Sequence, residues 1–506
     1  MELSRFFERG EFCGGVLGAF ILGIAAHSIV PFVHADEVWI TSALLVCVFA
    51  AMAFREQRIP FAVAVLVVSA VLGFWRFNVS VPERNDGVLP WMGQRAEYRG
   101  VVQALSGTDA RPTATVRVGN VGADKIKVPG NSVVIRLKQT VEIGSEVSFI
   151  CTARTPGTFP ANLERRRSLA KKGVWAECTT VENLEVIGKP NPFNPLIWLA
   201  RWREWLTRRI AVVLPRDEAT LLSGILYGDQ DLTTEQRDLF QRSGLMHIVA
   251  VSGSNVTIVV SVLLALVLGM GFSRRRAFWI VSSGLLVFIG FVGFGASVLR
   301  AAAMGWLAIL ARQIGRPIQT DRLLVVAAAV LNIFNPWLLA YDPGFALSFL
   351  ATWGLLAWTP IFQERLTILP NVFSMRETLA TTSGATLMTV PYMAWAFGRM
   401  SLAGLLTNAL ALPLVPWAML WGAGAAAWGS WPGFQLVCWP TLGLLRLIIW
   451  IAHLADYVPW LNMQVKQMEW AVMGGCYILI WQLWRIMRCE ESRKKDDRVV
   501  DSVVGV

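Results

Sequence analysis

Apolar positions along this chain follow two different periodicities, and the switch between them divides it. Unbroken apolar runs close to the roughly 20 residues that cross a bilayer predict membrane helices. Three lie near 13–33, 37–53 and 60–77. About nine more lie near 245–271, 277–294, 296–314, 322–340, 343–360, 378–398, 402–428, 433–458 and 468–488. From about Trp91 to Ile187 the pattern shortens to alternating segments, EYRGVVQAL, TATVRVGNV, NSVVIRLKQT, EVSFICTAR and VWAECTTVENLEVI, separated by Gly, Pro, Asp and Asn. Period-two alternation predicts a small antiparallel barrel or sandwich, for which the OB-fold is the natural five-stranded candidate. In NPLIWLARWREWLTRRIAVVL, Trp198, Trp202 and Trp205 alternate with Arg201, Arg203, Arg208 and Arg209 at helical spacing, which predicts an amphipathic helix in the interface.

The reading is a polytopic α-helical membrane protein of about 12 spans with an inserted small all-β, OB-like extracellular domain. Its parts are N-terminal transmembrane helices over 1–80, the OB-like domain over 90–188 and interfacial helices over 192–243. A transmembrane channel domain over 244–488 and a cytoplasmic tail over 489–506 complete it.

Composition agrees: the 506 residues are 55% hydrophobic, with a mean hydropathy of +0.50. The first apolar run is followed by HADE and a second run, so it reads as a retained span rather than a cleaved signal. Arg5, Arg9 and the REQR loop (Arg55 to Arg58) place the N-terminus in the cytoplasm, and three crossings then leave the β-rich segment outside. Arg274 to Arg276, Arg312 to Arg316 and the tail RIMRCEESRKKDDR fall on the cytoplasmic side, with both termini inside. The net charge of +11 suits either a polyanion partner or ordinary cytoplasmic loops. More telling is the outer cluster of Arg165, Arg166, Arg167, Lys171, Lys172, Arg201 and Arg203, which runs against the usual topological bias and forms a candidate external surface for a polyanion. Of seven cysteines, Cys13, Cys47, Cys438 and Cys476 lie in apolar runs as small hydrophobes. Cys151 and Cys178, placed outside, are expected to pair as a disulfide.

The stretch LLSGILYGDQDLTTEQRDLFQRSGLMHIVAVSGSNVTIVV predicts an apolar helix ending at Gly228, a polar helix capped by Thr233 or Thr234 and stopped by Gly244, then a span with a polar start. Ser252, Gly253, Ser254, Asn255 and Thr257 admit two readings, close packing or pore lining. Arg300, near the start of an apolar run, either snorkels to the interface or contacts phosphate in a hydrated passage, and Asp342 is either its partner or a helix cap. Gly253, Pro391 and Pro413 allow broken helices, which at depth must be buried or line a cavity. A His247–Ser252 nucleophile and base dyad is poor, because five helical residues put the two about 140° apart. There is no GxxxxGK[ST] loop, so any driving force comes from another protein.

In order, these residues resemble the ComEC family of bacterial competence proteins, inner-membrane channels for single-stranded DNA in natural transformation. Gly228, Asp229, Gly244, His247, Ser252 and Gly253 resemble its Gly-Asp, His and Ser-Gly elements, and ASVLRAAAMG its Ser-x-x-Arg-Ala-x-x-Met element through Ser297, Arg300, Ala301 and Met304. DPGFALSFLATWGLL is similar to its Gly-Phe-Gln-Leu-Ser-Phe element through Gly344, Phe345, Leu347, Ser348 and Phe349. Pro391, Asn408 and Pro413 resemble its later Pro, Asn and Pro signature. The segment RTPGTFPANLERRRSLAKKGVWAEC is similar to the end of its outer domain. Asn255 stands where the family usually has His, and Ala346 where it usually has Gln.

The resemblance implies a DNA path through His247, Ser252, Gly253, Asn255, Arg300, Ser348 and Asn408, with no catalytic residue, cofactor or metal. Implied partners are single-stranded DNA, membrane lipid, a cytoplasmic helicase or translocase, a periplasmic or surface DNA receptor and a separate nuclease. Many members add a metallo-β-lactamase-like domain. With four histidines and no His-x-His-x-Asp-His run, this chain is expected to have no nuclease activity. The alternatives are a transporter for another anionic or polar solute and a membrane-embedded hydrolase.

Overall fold

The computed structural model describes residues 11–504 except 30–36, 54–56, 82–87, 107–112, 123–125, 128–131, 138–140, 157–165, 179, 191, 229–231, 250–252, 294, 314–319, 369–374, 430, 432–435, 437, 458–461 and 465–467. Ser252, Arg165, Asp229, Arg5, Arg9, Arg55, Arg316 and Pro432 therefore lie outside the described residues. The chain forms two compact units, Met1–Arg203 with Val325–Asp342, and Glu204–Leu324 with Pro343–Val506. This division differs from the one read in the sequence, which kept 325–342 with the channel domain.

In the first unit, apolar helices α1 (Glu11–Ser28) and α2 (Glu37–Ala53) both pack against α3 (Arg58–Val79). Gly23 and Gly73 let α1 and α3 approach backbone to backbone, since a Cβ on either would overlap the carbonyl of Ala70 or Phe20. Strands β1 (Arg95–Ser106), β2 (Thr113–Val121), β3 (Ile126–Lys127), β4 (Ser132–Arg136), β5 (Glu146–Thr152), β6 (Val174–Cys178) and β7 (Val181–Gly188) follow.

The sheet order is β6-β4-β2-β1-β5-β7, antiparallel except for the parallel β4–β6 pair, with β3 beside β2. Past β5, Arg154 and Glu177 exchange both backbone hydrogen bonds, at 3.0 and 2.9 Å, so the strand path returns to β6. The last segment predicted from the sequence is in fact two strands. A bend at Thr180 precedes β7, and β6 and β7 lie at opposite ends of the strand order. Inward residues such as Val102, Val116, Val133, Ile135 and Val147 fill the core around the Tyr98–Phe149 stack.

Cys151 on β5 and Cys178 on β6 are joined, with Cα atoms 5.9 Å apart. The crosslink closes a loop of sequence separation 27, and Cys151→Ser is expected to cost about 3 kcal/mol. Thermal unfolding of the purified protein measures that loss. Thiols alkylated only after reduction would identify the bond, and freely alkylated thiols would remove it.

Tyr98 is fully buried and its hydroxyl has no hydrogen-bond partner among the described residues. Burial pushes its pKa up to about 12. The folded state thus disfavours ionisation. Its contribution is complete below the ordinary value of 10.0 and is lost as pH rises from there towards 12. Tyr98→Phe is expected to unfold no more easily at neutral pH and to lose this alkaline sensitivity, read from melting temperatures across that window.

Residues 325–342 are tied into this unit by specific contacts. Trp337 packs on Phe77 and Trp175, at ring distances of 5.0 and 5.4 Å. Arg76 donates to the carbonyls of Ile333 (2.6 Å) and Phe334 (2.9 Å), capping the last turn of α11 below.

Helix α4 (Pro195–Val213) leads into the second unit, where α5 (Arg216–Tyr227), α6 (Thr234–Arg242), α7 (Met246–Val249), α8 (Gly253–Gly269), α9 (Arg274–Val292) and α10 (Ala296–Gln313) follow. Next are α11 (Thr320–Phe334) and α12 (Trp337–Tyr341), then α13 (Pro343–Arg365) and α14 (Met375–Phe397). A two-stranded ribbon pairs β8 (Arg399–Ser401) with β9 (Asn462–Gln464). Helices α15 (Gly404–Ala411), α16 (Val415–Trp428), α17 (Cys438–His453) and α18 (Trp470–Val504) complete the chain.

Among the described residues, four stretches are long and apolar enough to cross a membrane: Ile59–Val79, Arg274–Val292, Pro343–Arg365 and Gly404–Trp428. Shorter apolar helices occupy Cys13–Ser28, Trp39–Ala53, Asn255–Gly269, Ser297–Leu310 and Cys438–His453. The sequence grouped α5 with interfacial helices. In the structure Leu221, Leu222, Ile225 and Tyr227 of α5 are fully buried, in the core cluster that also holds Ala418 and Met419 of α16 and Leu445 and Ile448 of α17.

Candidate functional site

Within the second unit, the polar residues singled out in the sequence gather where helices stop. Gly228 ends α5 in the left-handed conformation, with φ +74°. Thr233 and Gln236 form a reciprocal capping box at the start of α6. At the other end of α6, three contacts from the segment after β8 fix the chain. Ser401 Oγ donates to the carbonyl of Arg242 (2.7 Å), Thr407 Oγ1 donates to that of Ser243 (2.7 Å), and Gly244 lies against Gly404. His247 Nδ1 bonds the Gly244 carbonyl at 3.0 Å and its ring stays exposed.

Near the start of α8, Asn255 is 1% exposed and its Nδ2 donates to the Ile225 carbonyl of α5 at 3.0 Å. Thr257 Oγ1 turns back to the carbonyl of Gly253.

Arg300 on α10 is 3% exposed. Its Nη1 donates to the Gly344 carbonyl at the start of α13 (3.0 Å), its Nη2 to Ser297 Oγ (3.2 Å), and its guanidinium lies 5.6 Å from the Phe349 ring. The side chain is buried and ties α10 to α13. Ser348 is half-buried on α13, and its carbonyl accepts from Thr352. Asn408 on α15 is buried beside Gly404, and its Oδ1 has no hydrogen-bond partner among the described residues.

In the first unit, the basic cluster is largely engaged. Lys171 Nζ pairs with Asp342 Oδ1 at 3.2 Å, Arg167 stacks over Tyr341 at 4.8 Å, and Arg201 reaches Glu142 at 3.2 Å. Arg166 is half-buried, which lowers its pKa. Lys172 is exposed. Asp342, read from the sequence as a partner for Arg300 or as a cap, thus takes Lys171.

One ion pair was not singled out from the sequence. Arg446 Nε on α17 donates to Glu218 Oε1 on α5 at 2.9 Å, the Glu218 side chain buried and that of Arg446 exposed. The available signal was a lone Arg inside the apolar run CWPTLGLLRLIIWIAH. Among the described residues no group of three His, Cys, Asp or Glu side chains is placed to hold a metal.

The family model described as Competence protein matches residues 225–488, which contain all seven residues of the sequence-derived path. ComE operon protein 3 of Bacillus subtilis (strain 168) is 26% identical over 214 residues, 42% of this chain and 27% of that protein, so the match spans about a quarter of the relative's length. No solved structure matches.

Proposed function

The chain belongs to the competence protein family, and from that premise we propose that it is an inner-membrane channel admitting single-stranded DNA to the cytoplasm during transformation. The observation that carries this reading is the cluster of helix ends inside the matched segment. The left-handed end of α5 at Gly228 and the left-handed Gly244, packed against Gly404, place irregular backbone within a largely apolar helical unit. Such backbone in a membrane is tolerated where it is buried in protein or lines a hydrated cavity.

In this reading about 12 spans carry the path and both termini are cytoplasmic. Asn255 and Arg300 brace it by holding helix ends, with His247, Ser252, Gly253, Ser348 and Asn408 beside them. The β-rich domain is OB-like and external. The returning order β6-β4-β2-β1-β5 and the parallel β4–β6 pair support that assignment. Arg165, Arg166, Arg167, Lys171, Lys172, Arg201 and Arg203 form its basic flank. The protein performs no catalytic step. A surface receptor and a separate nuclease would deliver the strand, and a cytoplasmic helicase or translocase would pull it.

Deleting the gene and restoring it on a plasmid, with fluorescent DNA followed into the cytoplasm, tests the reading. Entry lost on deletion and regained on complementation is expected. DNA entry independent of the protein would sink the reading and favour a transporter of another anionic solute.

A further inference from the structure

We propose that Arg446, held by Glu218, is a phosphate contact for the single strand; this rests on the DNA-channel reading above. Helix α17 buries Thr441, Leu445, Ile448, Ile451 and Ala452 on one side. Trp439, Arg446 and Trp450, spaced by seven and then four residues, share the opposite side. All three are exposed, the Arg446 side chain at 63%.

Counting the helical rise, Arg446 lies about 12 Å from the N-terminal end of α17 and about 10 Å from its other end. An arginine so far from either end of an apolar helix is costly against lipid, and is found instead facing a partner or a water-filled passage. Glu218 accounts for only part of its bonding capacity. The Nε–H is taken at 2.9 Å, while the two Nη nitrogens carry no hydrogen bond among the described residues. Those terminal nitrogens present the planar fork that suits a phosphate oxygen pair.

Glu218 acts as the positioning residue. It is buried in the first turn of α5 and fixes the guanidinium by its one inner nitrogen. The contrast with Arg300 is chemical: there both Nη nitrogens are used inside the protein, and the side chain is 3% exposed. Two exposed indoles on the same side as Arg446 add faces on which bases stack without regard to sequence.

The test is binding of fluorescent oligo-dT to the full chain in nanodiscs of zwitterionic lipid, titrated at several salt concentrations. Arg446→Gln should weaken binding roughly tenfold at low salt and flatten the plot of log affinity against log salt by about 0.7, one phosphate contact on a single strand. Because Arg446→Gln leaves Glu218 unpaired, Glu218→Gln combined with Arg446→Gln supplies the control. A phosphate contact predicts that the double variant stays as weak as the single one. Recovery of affinity and slope in the double variant would show that Arg446 acts through packing and overturn the proposal. So would unchanged binding by Arg446→Gln. Failure of the unmodified protein to bind oligo-dT in a salt-dependent way would instead remove the DNA reading itself, and the proposal with it.

Discussion

Replacing Arg300 by Met is expected to destabilise the protein by about 3 kcal/mol and to abolish DNA entry into the cytoplasm. The thioether matches much of the aliphatic length but donates nothing, so the Gly344 carbonyl and the Ser297 hydroxyl lose their charged donor. Hydrogen bonds to ionised groups are the stronger kind, and two of them are lost together. Arg300→Lys should recover only part of the loss, because one ammonium cannot reproduce a fork that reaches two acceptors from one plane. Melting in detergent gives the stability change, and labelled-DNA entry at matched membrane abundance gives the functional one. Full stability and full entry in Arg300→Met would show that the α10 to α13 tie contributes nothing.

Gly244→Ala is expected to be at least as damaging, for reasons of backbone rather than charge. Gly244 has φ +73°, a conformation that costs an L-residue on the order of 1–2 kcal/mol. A Cβ there would also sit 2.8 Å from the Cα of Gly404 and 3.1 Å from its nitrogen, where no flexible side chain can give way. The strain must move one backbone relative to the other, and with it the hydrogen bonds that Thr407 and Ser401 make to Ser243 and Arg242. Loss of the folded protein from membranes, or a melting shift of about 3 kcal/mol, is the expected result. Gly404→Ala makes the comparison: its Cβ would stand 3.5 Å from Gly244, ordinary contact, so it should be tolerated far better. Equal behaviour of the two variants would contradict the geometry.

Much of the local structure was legible in the sequence. Thr233 with Gln236 three residues later signals a capping box, and Gly228 and Gly244 stop helices because only glycine takes left-handed angles freely. Alternation marked the strands, and a three-residue proximity brought Arg300 to Ser297. Long-range partners were not legible. Nothing in VWAECTTVENLEVI says that its two halves join different ends of a strand order, because alternation reports which face is buried and is silent on which strand lies alongside. Burial of α5 was missed for a related reason: a 12-residue helix with Arg216, Asp217 and Glu218 in its first turn resembles a surface helix until α16 and α17 cover its apolar side.

By itself the sequence determined the apolar and alternating stretches, several helix ends and the family, since apolar period, caps and ordered motifs are local properties of the chain. Only the tertiary structure decided which polar groups are spoken for. Lys171 meets Asp342 across 171 residues, Asn255 meets Ile225 across 30, and Glu218 meets Arg446 across 228. A charge in an apolar run announces that some partner must exist, because burying it alone is too costly. The partner's identity is set by which helices and strands pack together, and that packing is the sum of many weak apolar contacts that no single stretch of sequence contains.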